Sequence, residues 1–532
     1  MILALPDPTP VLRGVAASQR RSRVAWITRV LHRRRMIGLS FCCALPLPAC
    51  VTVDPRADYR RAQELVTQQT GVRDSYDPAG EQEIAQRVHQ LLEHGLSIND
   101  ATSIALLNNK GLQSLFQEIG IARADVVQSG LPSNPTLSFG VRFPEGGGRS
   151  ELTAGLAQQI VDLWQIPIRK RIAEARLEQT ILLLAQRAQE LAGDVRRRYY
   201  GLVASERAVA LGREHAALTQ RSLDVAQARF DVGEADALEV NLARGSLLNI
   251  RTELTRLEGD QEVAEIALAR SLGLSRSYAP WTLSNPLPQP RSLDSDRAAL
   301  LSRAASGRLD VRSGELAVQA AEDEFIRQCR NVFPSIVLGI TGERTERAPI
   351  PGRDVLADTA RASVAAGQLT APSIQSRSQR EQARSQAIDA LLGATVSMTL
   401  PLWDQNQAGI SKARFAVVQR RKDLENLHDD IALAVGHALI RTRTLAAVAV
   451  MYEAEVQPND TANIEGARAL YETGQQNILV LLDAQEALTT HQRRYVEALR
   501  DYAVAIVDLE LAVGAPLDLS GERPADSTNE QD

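Results

Sequence analysis

"LYETGQQNILVLLDA", residues 470–484, reads as an interruption between two helices. Tyr471, Gly474 and Asn477 sit together as a turn, while the apolar residues on both sides keep a helical period. Residues 229–243, "RFDVGEADALEVNLA", repeat the layout. Phe230, Gly233, Leu238 and Ala243 stand 241 positions before Tyr471, Gly474, Leu479 and Ala484. A glycine turn used twice at matching places predicts a duplicated architecture.

Working outward, Leu177, Ile181, Leu184, Ala188, Leu191, Val195, Tyr199 and Leu202 follow a coiled-coil-like spacing of three and four. They predict a helix of about 60 residues, roughly 90 Å long, ending at the turn 231–236. A second helix over 237–272 closes at Gly273, and the Pro-rich stretch 280–290 is a linker. Upstream, Leu137, Phe139, Val141 and Phe143 alternate with Thr136, Ser138, Gly140 and Arg142, the period of a strand. The first repeat is thus 81–290, with a capping box at Ser97 and Asp100 opening its first strong helix. Its strands fall at about 134–143 and 151–161. The second repeat, 291–514, has strands at about 334–342 and 394–402 and a helical hairpin turning at 472–477. Residues 343–392 between its strands make a connection far beyond the usual length.

Hydrophobic residues reach 44% with only 4% aromatics, so Ala, Leu and Val dominate, which suits long packed helices. The net charge is −5, yet residues 1–35 hold eight Arg against one Asp, leaving −12 for the remainder. A basic leader ahead of an acidic body reads as targeting and excludes nucleic acid as a partner. Arg33–Arg35, a short apolar run and Leu47-Pro48-Ala49-Cys50 follow. Residues 1–49 are therefore read as a signal peptide with a lipobox and Cys50 as the acylated residue. Residues 50–80 read as a polar periplasmic tether and 515–532 as a disordered tail. With Cys42 and Cys43 removed, Cys329 is the remaining free thiol.

No apolar run reaches the 18 or so residues that a spanning helix needs, so any membrane crossing falls to the strands. Four strands cannot close a barrel, and open edges in lipid are forbidden. Strands must be pooled between copies: two give eight with a filled interior, three give twelve and a channel.

At this point the chain resembles the TolC-type outer-membrane efflux family, in its lipoprotein branch. "LSINDATSIALLNN", "NPTLSFG", "RLDVRSGEL", "RFDVGEADALEV" and "LYETGQQNILVLLDAQ" carry the likeness by their order and spacing over residues 97–514. The resemblance implies a mostly α protein, with long antiparallel coiled-coil helices and four strands per protomer in a trimeric twelve-stranded β-barrel. It implies a homotrimer in the outer membrane, with a periplasmic helical tunnel docked to an adaptor and an inner-membrane pump. The tips of the tunnel are then a gate. By the family's motif, Asp483 matches an acidic ring position, Tyr471 the gate tyrosine and Glu239 its acidic partner on the neighbouring hairpin. Val480 replaces the second acid of the ring, Gln476 stands where a basic residue is expected, and Leu238 replaces a polar partner. Gly233 and Gly474 form the turns.

An enzyme is disfavoured: there is no Gly-rich phosphate loop, HExxH or CxxC pair, and the seven His are scattered. His89 and His94, five apart, read as surface residues rather than a metal pair, and Arg196–Arg198 as a solvated face. No cofactor or metal is expected. The rival reading is a periplasmic coiled-coil lipoprotein, a scaffold or adaptor, whose strands form a small soluble sheet. The exported solute, drug or metal ion, has no signature.

Overall fold

The computed structural model describes residues 52–517, apart from 79, 94, 144–149, 275–280, 292–295, 347–362 and 368–387. The leader, Cys50, most of the 343–392 connection and the last fifteen residues lie outside that set.

Residues 56–70 are not a free tether. They form helix α1 (Arg56–Thr70), in which Ala62 and Val66 are fully buried. The spacing of Ala62, Leu65 and Val66 gives one apolar stripe inside an otherwise charged segment. Asp58 receives both arms of the Arg123 guanidinium, and Arg61 reaches Glu178 at 2.6 Å. Helix α2 (Glu81–Leu92) follows. The capping box forms as the sequence predicts: Ser97 Oγ accepts from the Asp100 N–H at 3.1 Å, and Asp100 accepts from the Ser97 N–H. The single helix expected there is two, α3 (Ile98–Asn108) and α4 (Lys110–Gly130). The break comes at Asn109, whose side chain takes the N–H groups of Gly111 and Leu112 at 3.0 and 3.2 Å. An asparagine that caps the next helix outcompetes continuation. The second half has the same break, between α7 (Arg297–Gly307) and α8 (Leu309–Arg330).

Helix α5 (Val161–Asp231) runs 71 residues, about 106 Å at 1.5 Å per residue. It begins earlier than its apolar stripe suggests and tolerates Pro167 near its start. All the predicted stripe is buried except Leu191, which is half-buried. Arg196–Arg198 are not simply a solvated face. Arg196 pairs with Glu510, Arg197 with Asp508 at 3.0 Å and Arg198 with Asp194 at 2.7 Å. The first two bind α5 to the last helix, α11 (Ile478–Val513). The return helix α6 (Ala237–Ser271) packs along α5.

The Pro-rich segment after α6 is pinned by tyrosines. Tyr199, fully buried, donates to the Leu96 carbonyl at 2.9 Å and accepts the Asn285 N–H at 3.0 Å. Tyr502 accepts the Arg291 N–H at 3.1 Å. Tyr199→Phe takes the acceptor from the Asn285 N–H, while the Leu96 carbonyl keeps the Ser284 N–H at 3.1 Å, so it should cost about 0.5–1.5 kcal/mol. A lower melting temperature is the expected result; unchanged melting would mean that water replaces the hydroxyl.

The sheet has the order β1-β2-β3-β4, all antiparallel, from β1 (Thr136–Arg142), β2 (Glu151–Gln159), β3 (Ile336–Glu346) and β4 (Ile388–Met398). Register places Leu137, Leu156, Ile340 and Ala394 in one cross-strand row, with Phe139, Ala154, Gly342 and Leu392 in the next on the same face. The opposite face carries Ser138, Gly155, Thr341 and Gly393. The apolar face is bare: Phe139 is 76% exposed and Leu392 82%. β3 runs on to Glu346, past Ile340, its last apolar residue, and β4 begins earlier than expected, at Ile388, because the two strands stay paired to that end. β4 stops at Met398, short of Pro401, which cannot donate to a ladder. At the helical end, Trp164 and Trp403 are exposed, and Trp164 lies 6.4 Å from Phe333 between ring centres. Such a belt of aromatics suits a membrane–water interface.

After β4 come α9 (Gln407–Met451), a π-turn (Tyr452–Val456) and α10 (Gln457–Glu472). This 66-residue run contains a window long and apolar enough to cross a membrane by length and composition, which the sequence reading did not anticipate. Its Ala438, Leu439, Thr442, Ala446 and Ala449 are buried while Leu433, Ile440 and Met451 are exposed. Thr442 Oγ1 reaches the Ala505 carbonyl of α11 at 3.1 Å, so the apolar composition serves helix packing on one side.

Candidate functional site: the paired helical tips

The two turns close by the same backbone device. Gly233 and Gly474 adopt left-handed φ of 78° and 74°, where a side chain would be strained. Gly233 N–H bonds Phe230 O at 3.0 Å and Glu234 N–H bonds Arg229 O at 2.8 Å. At the 241-residue offset, Gly474 N–H bonds Tyr471 O and Gln475 N–H bonds Leu470 O, both at 3.0 Å. The next helices are capped alike: Asp236 accepts the Glu239 N–H at 2.9 Å, and Asn477 the Leu479 N–H at 3.0 Å.

The turns are packed together. Tyr471 is 1% exposed, among Ala226, Val240, Ala243, Ala467, Ile478 and Leu481. Its hydroxyl lies near enough to Glu239 to feel the carboxylate, but the hydrogen bond that the resemblance suggests is not made. Tyr471 Oη and Glu239 Oε2 are both buried without a partner. Burial, then the Glu239 charge, pushes the hydroxyl above the ordinary tyrosine range, while Arg229 opposes them. Arg229 makes the actual connection. Its Nη1 donates to the Tyr471 carbonyl at 2.7 Å, and its guanidinium carbon stands 4.8 Å from the ring centroid. Sequence reading missed Arg229: the 241-residue offset sets it against Leu470, so the duplication gives no signal for a charge there.

Asp483 and Gln476 are exposed, as is Val480. On α11, Ile478, Leu481 and Gln485 face the packed interior, so Leu479, Val480 and Asp483 form the outer stripe. Leu238 is 62% exposed. His89 is also exposed and pairs with Glu93 at 3.1 Å, while His94 lies outside the described residues. Among the described residues no group of three or more His, Cys, Asp or Glu is placed to hold a metal ion.

A profile of the outer membrane efflux protein family matches residues 101–274 and 300–515, one segment for each repeat. A comparison with curated proteins by sequence found no match. Among solved structures, CusC superposes with a TM-score of 0.62 at 18% identity, covering 79% of this chain and 92% of that one. The open-state MtrE channel of Neisseria gonorrhoeae gives 0.60 at 17% identity, with 79% and 89% covered. The CmeC outer membrane channel of Campylobacter jejuni gives 0.57 at 16% identity, with 80% and 87% covered. These likenesses carry the same fold of long helical hairpins and a four-stranded sheet, and the two-segment match shows that the chain belongs to the outer membrane efflux protein family.

Proposed function

We propose that the chain is the outer-membrane channel subunit of a tripartite efflux assembly, working as a homotrimer with a periplasmic adaptor and an inner-membrane pump. One observation carries the reading: a sheet apolar on one face, with β1 and β4 both unpaired on their outer sides among the described residues, continues into a helix about 106 Å long. The open edges need strands from other copies, and the bare face needs lipid. Twelve pooled strands leave a bore, and the helices extend it through the periplasm to tips that close it. The solute is whatever small molecule or ion the pump delivers. A periplasmic scaffold would leave the same sheet in water with Phe139 and Leu392 exposed, which disfavours that alternative. Detergent-dependent extraction as a trimer, with conductance in planar bilayers, is the expected result. Release by alkaline carbonate without detergent would instead support the scaffold.

Two finer elements belong to the proposal. Cys50 carries the lipid anchor, and intact mass of the mature protein should show an acylated cysteine as its first residue. An unmodified N-terminus at another position would remove the anchor from the reading. Asp483 forms a ring of three carboxylates where the tips meet, with Val480 giving an apolar ring one turn away. Each charge makes ionisation of the others costlier, and multivalent cations are drawn in. Asp483→Ala should relieve block by a trivalent cation added on the periplasmic side by about tenfold or more in half-blocking concentration. Unchanged block would place the ring elsewhere.

A further inference from the structure

The seam between the two hairpins of one protomer, α5 against α11, carries a ladder of polar contacts. Gln485 Nε2 donates to Ser222 Oγ at 2.8 Å, and His215 Nε2 stands 2.9 Å from Gln492 Oε1, seven residues farther from the tip on each helix. Farther still come Arg197–Asp508 at 3.0 Å and Arg196–Glu510. The heptad spacing keeps the two glutamine rungs on one face of each helix. Among these rungs only the histidine titrates near neutral pH. His215 is 5% exposed, and the buried Leu211 and Val496 lie one turn away. An amide oxygen only accepts, so Nε2 carries the hydrogen of the neutral ring. Nδ1 makes no hydrogen bond among the described residues. A proton added there places a charge and a second N–H in the seam, with no protein acceptor and little water to receive them. Burial accordingly holds the imidazole below the ordinary histidine range, while the Gln492 bond and the Glu214 charge pull the other way.

The carboxylates around it are already matched. Glu214, on α5, is exposed and stands 3.7 Å from Arg207. On the α6 side Arg213 pairs with Glu258 at 2.8 Å, and Glu253 receives Arg493 of α11 at 2.9 Å. On α10, Asp460, 4% exposed, takes Nδ1 of His491 at 2.9 Å. Arg494 is exposed, and Tyr495 stays neutral below the alkaline range. We infer that His215 is an acid-sensitive latch: neutral, it joins α5 to α11, and on protonation it releases one hairpin from the other. The release is selective. His491 Nδ1 donates to Asp460 whether or not its other nitrogen is protonated, so α10 stays tied to α11. Acid therefore parts the hairpins without undoing the second. Because burial lowers the pKa of His215, the latch is fully set above about 6.5, the ordinary histidine value, and is lost as pH falls below it and through the lowered one. Acid opening of the channel rests on the tips being a gate, whereas the latch itself does not.

Hydrogen exchange of the full-length protein in nanodiscs, at about pH 7.5 and about pH 5 with times scaled to intrinsic rates, brackets the histidine range and tests the latch. Peptides around His215 and Gln492 should open about tenfold more readily in acid, the factor set by one polar group left unpaired in the seam. Peptides around Tyr199 should not change. His215→Gln keeps an uncharged donor toward Gln492 and should exchange alike at both pH values. Gln492→Glu gives the imidazolium a charged acceptor, so it should shrink or reverse the response, and it carries the test if His215→Gln fails to assemble. His491→Gln should keep the wild-type response, since its pair lies within the second hairpin. Equal exchange at both pH values in the wild type overturns the proposal, as does an acid response that His215→Gln and Gln492→Glu both leave intact. An acid response without any rise in conductance would support the latch while counting against the gate.

Discussion

Arg229→Ala should raise single-channel conductance severalfold, while Tyr471→Phe leaves it near the wild-type value. Arg229 is the side chain that ties the first hairpin to the second at the tip: one charged hydrogen bond of 2.7 Å to the Tyr471 carbonyl, and a guanidinium 4.8 Å from the ring centre. A hydrogen bond to a charged group is worth about 1.5–3 kcal/mol, and a cation–π contact about 0.5–2 kcal/mol. Together they hold the hairpins by roughly 2–5 kcal/mol in each copy, enough to shift a closed–open equilibrium by at least an order of magnitude. Tyr471→Phe keeps both the carbonyl and the ring and removes only a hydroxyl with no hydrogen-bond partner. The same geometry makes alkaline opening a poor lever. The hydroxyl's pKa is raised, so the stability it lends is fully present below the ordinary tyrosine range and is lost only as pH climbs above it. If Tyr471→Phe opens the channel and Arg229→Ala does not, the hydroxyl pairs with Glu239 in the working trimer and the connection is misassigned.

That contrast also shows what could be read in the sequence and what could not. The duplicated turn was legible because it depends on backbone chemistry: Gly233 and Gly474 need left-handed φ, and Asp236 and Asn477 need short oxygen-bearing side chains, so residue type reports geometry directly. The strands were legible because a face exposed to lipid must alternate. Arg229 was not legible, since its role is a tertiary contact to a carbonyl and any helix surface carries arginines. Helix α1 was hidden by its charges, three buried apolar residues, Ala62, Leu65 and Val66, being enough to seat one face. The π-turn at Tyr452–Val456 has no residue signature, and Pro458 just beyond it fits a helix start as readily as a break. Asn109 could have been recognised as a cap, but the apolar run on both sides favours one continuous helix.

Ile340→Arg should abolish assembly in the outer membrane, whereas Thr341→Arg, one residue along the same strand, should assemble and change conduction. The two are neighbours near the middle of β3 and point to opposite faces. Ile340 is 57% exposed in a row with Leu137 and Leu156, the face assigned to lipid. An arginine at the midplane of a barrel's lipid face costs about 2–4 kcal/mol, so three copies lose roughly 6–12 kcal/mol. That is comparable to the whole stability of a typical fold. Thr341 faces the other way, beside Gly155 and Gly393, where the absence of side chains leaves room. An arginine there points into the water-filled bore, stays hydrated and adds three positive charges to the path. Conductance for cations should drop and anion preference should rise, measured as a shift in reversal potential under a salt gradient. Equal loss of assembly in both variants would mean that neither face meets water as a channel wall. Equal tolerance would place the sheet outside the bilayer, and the scaffold reading would take over.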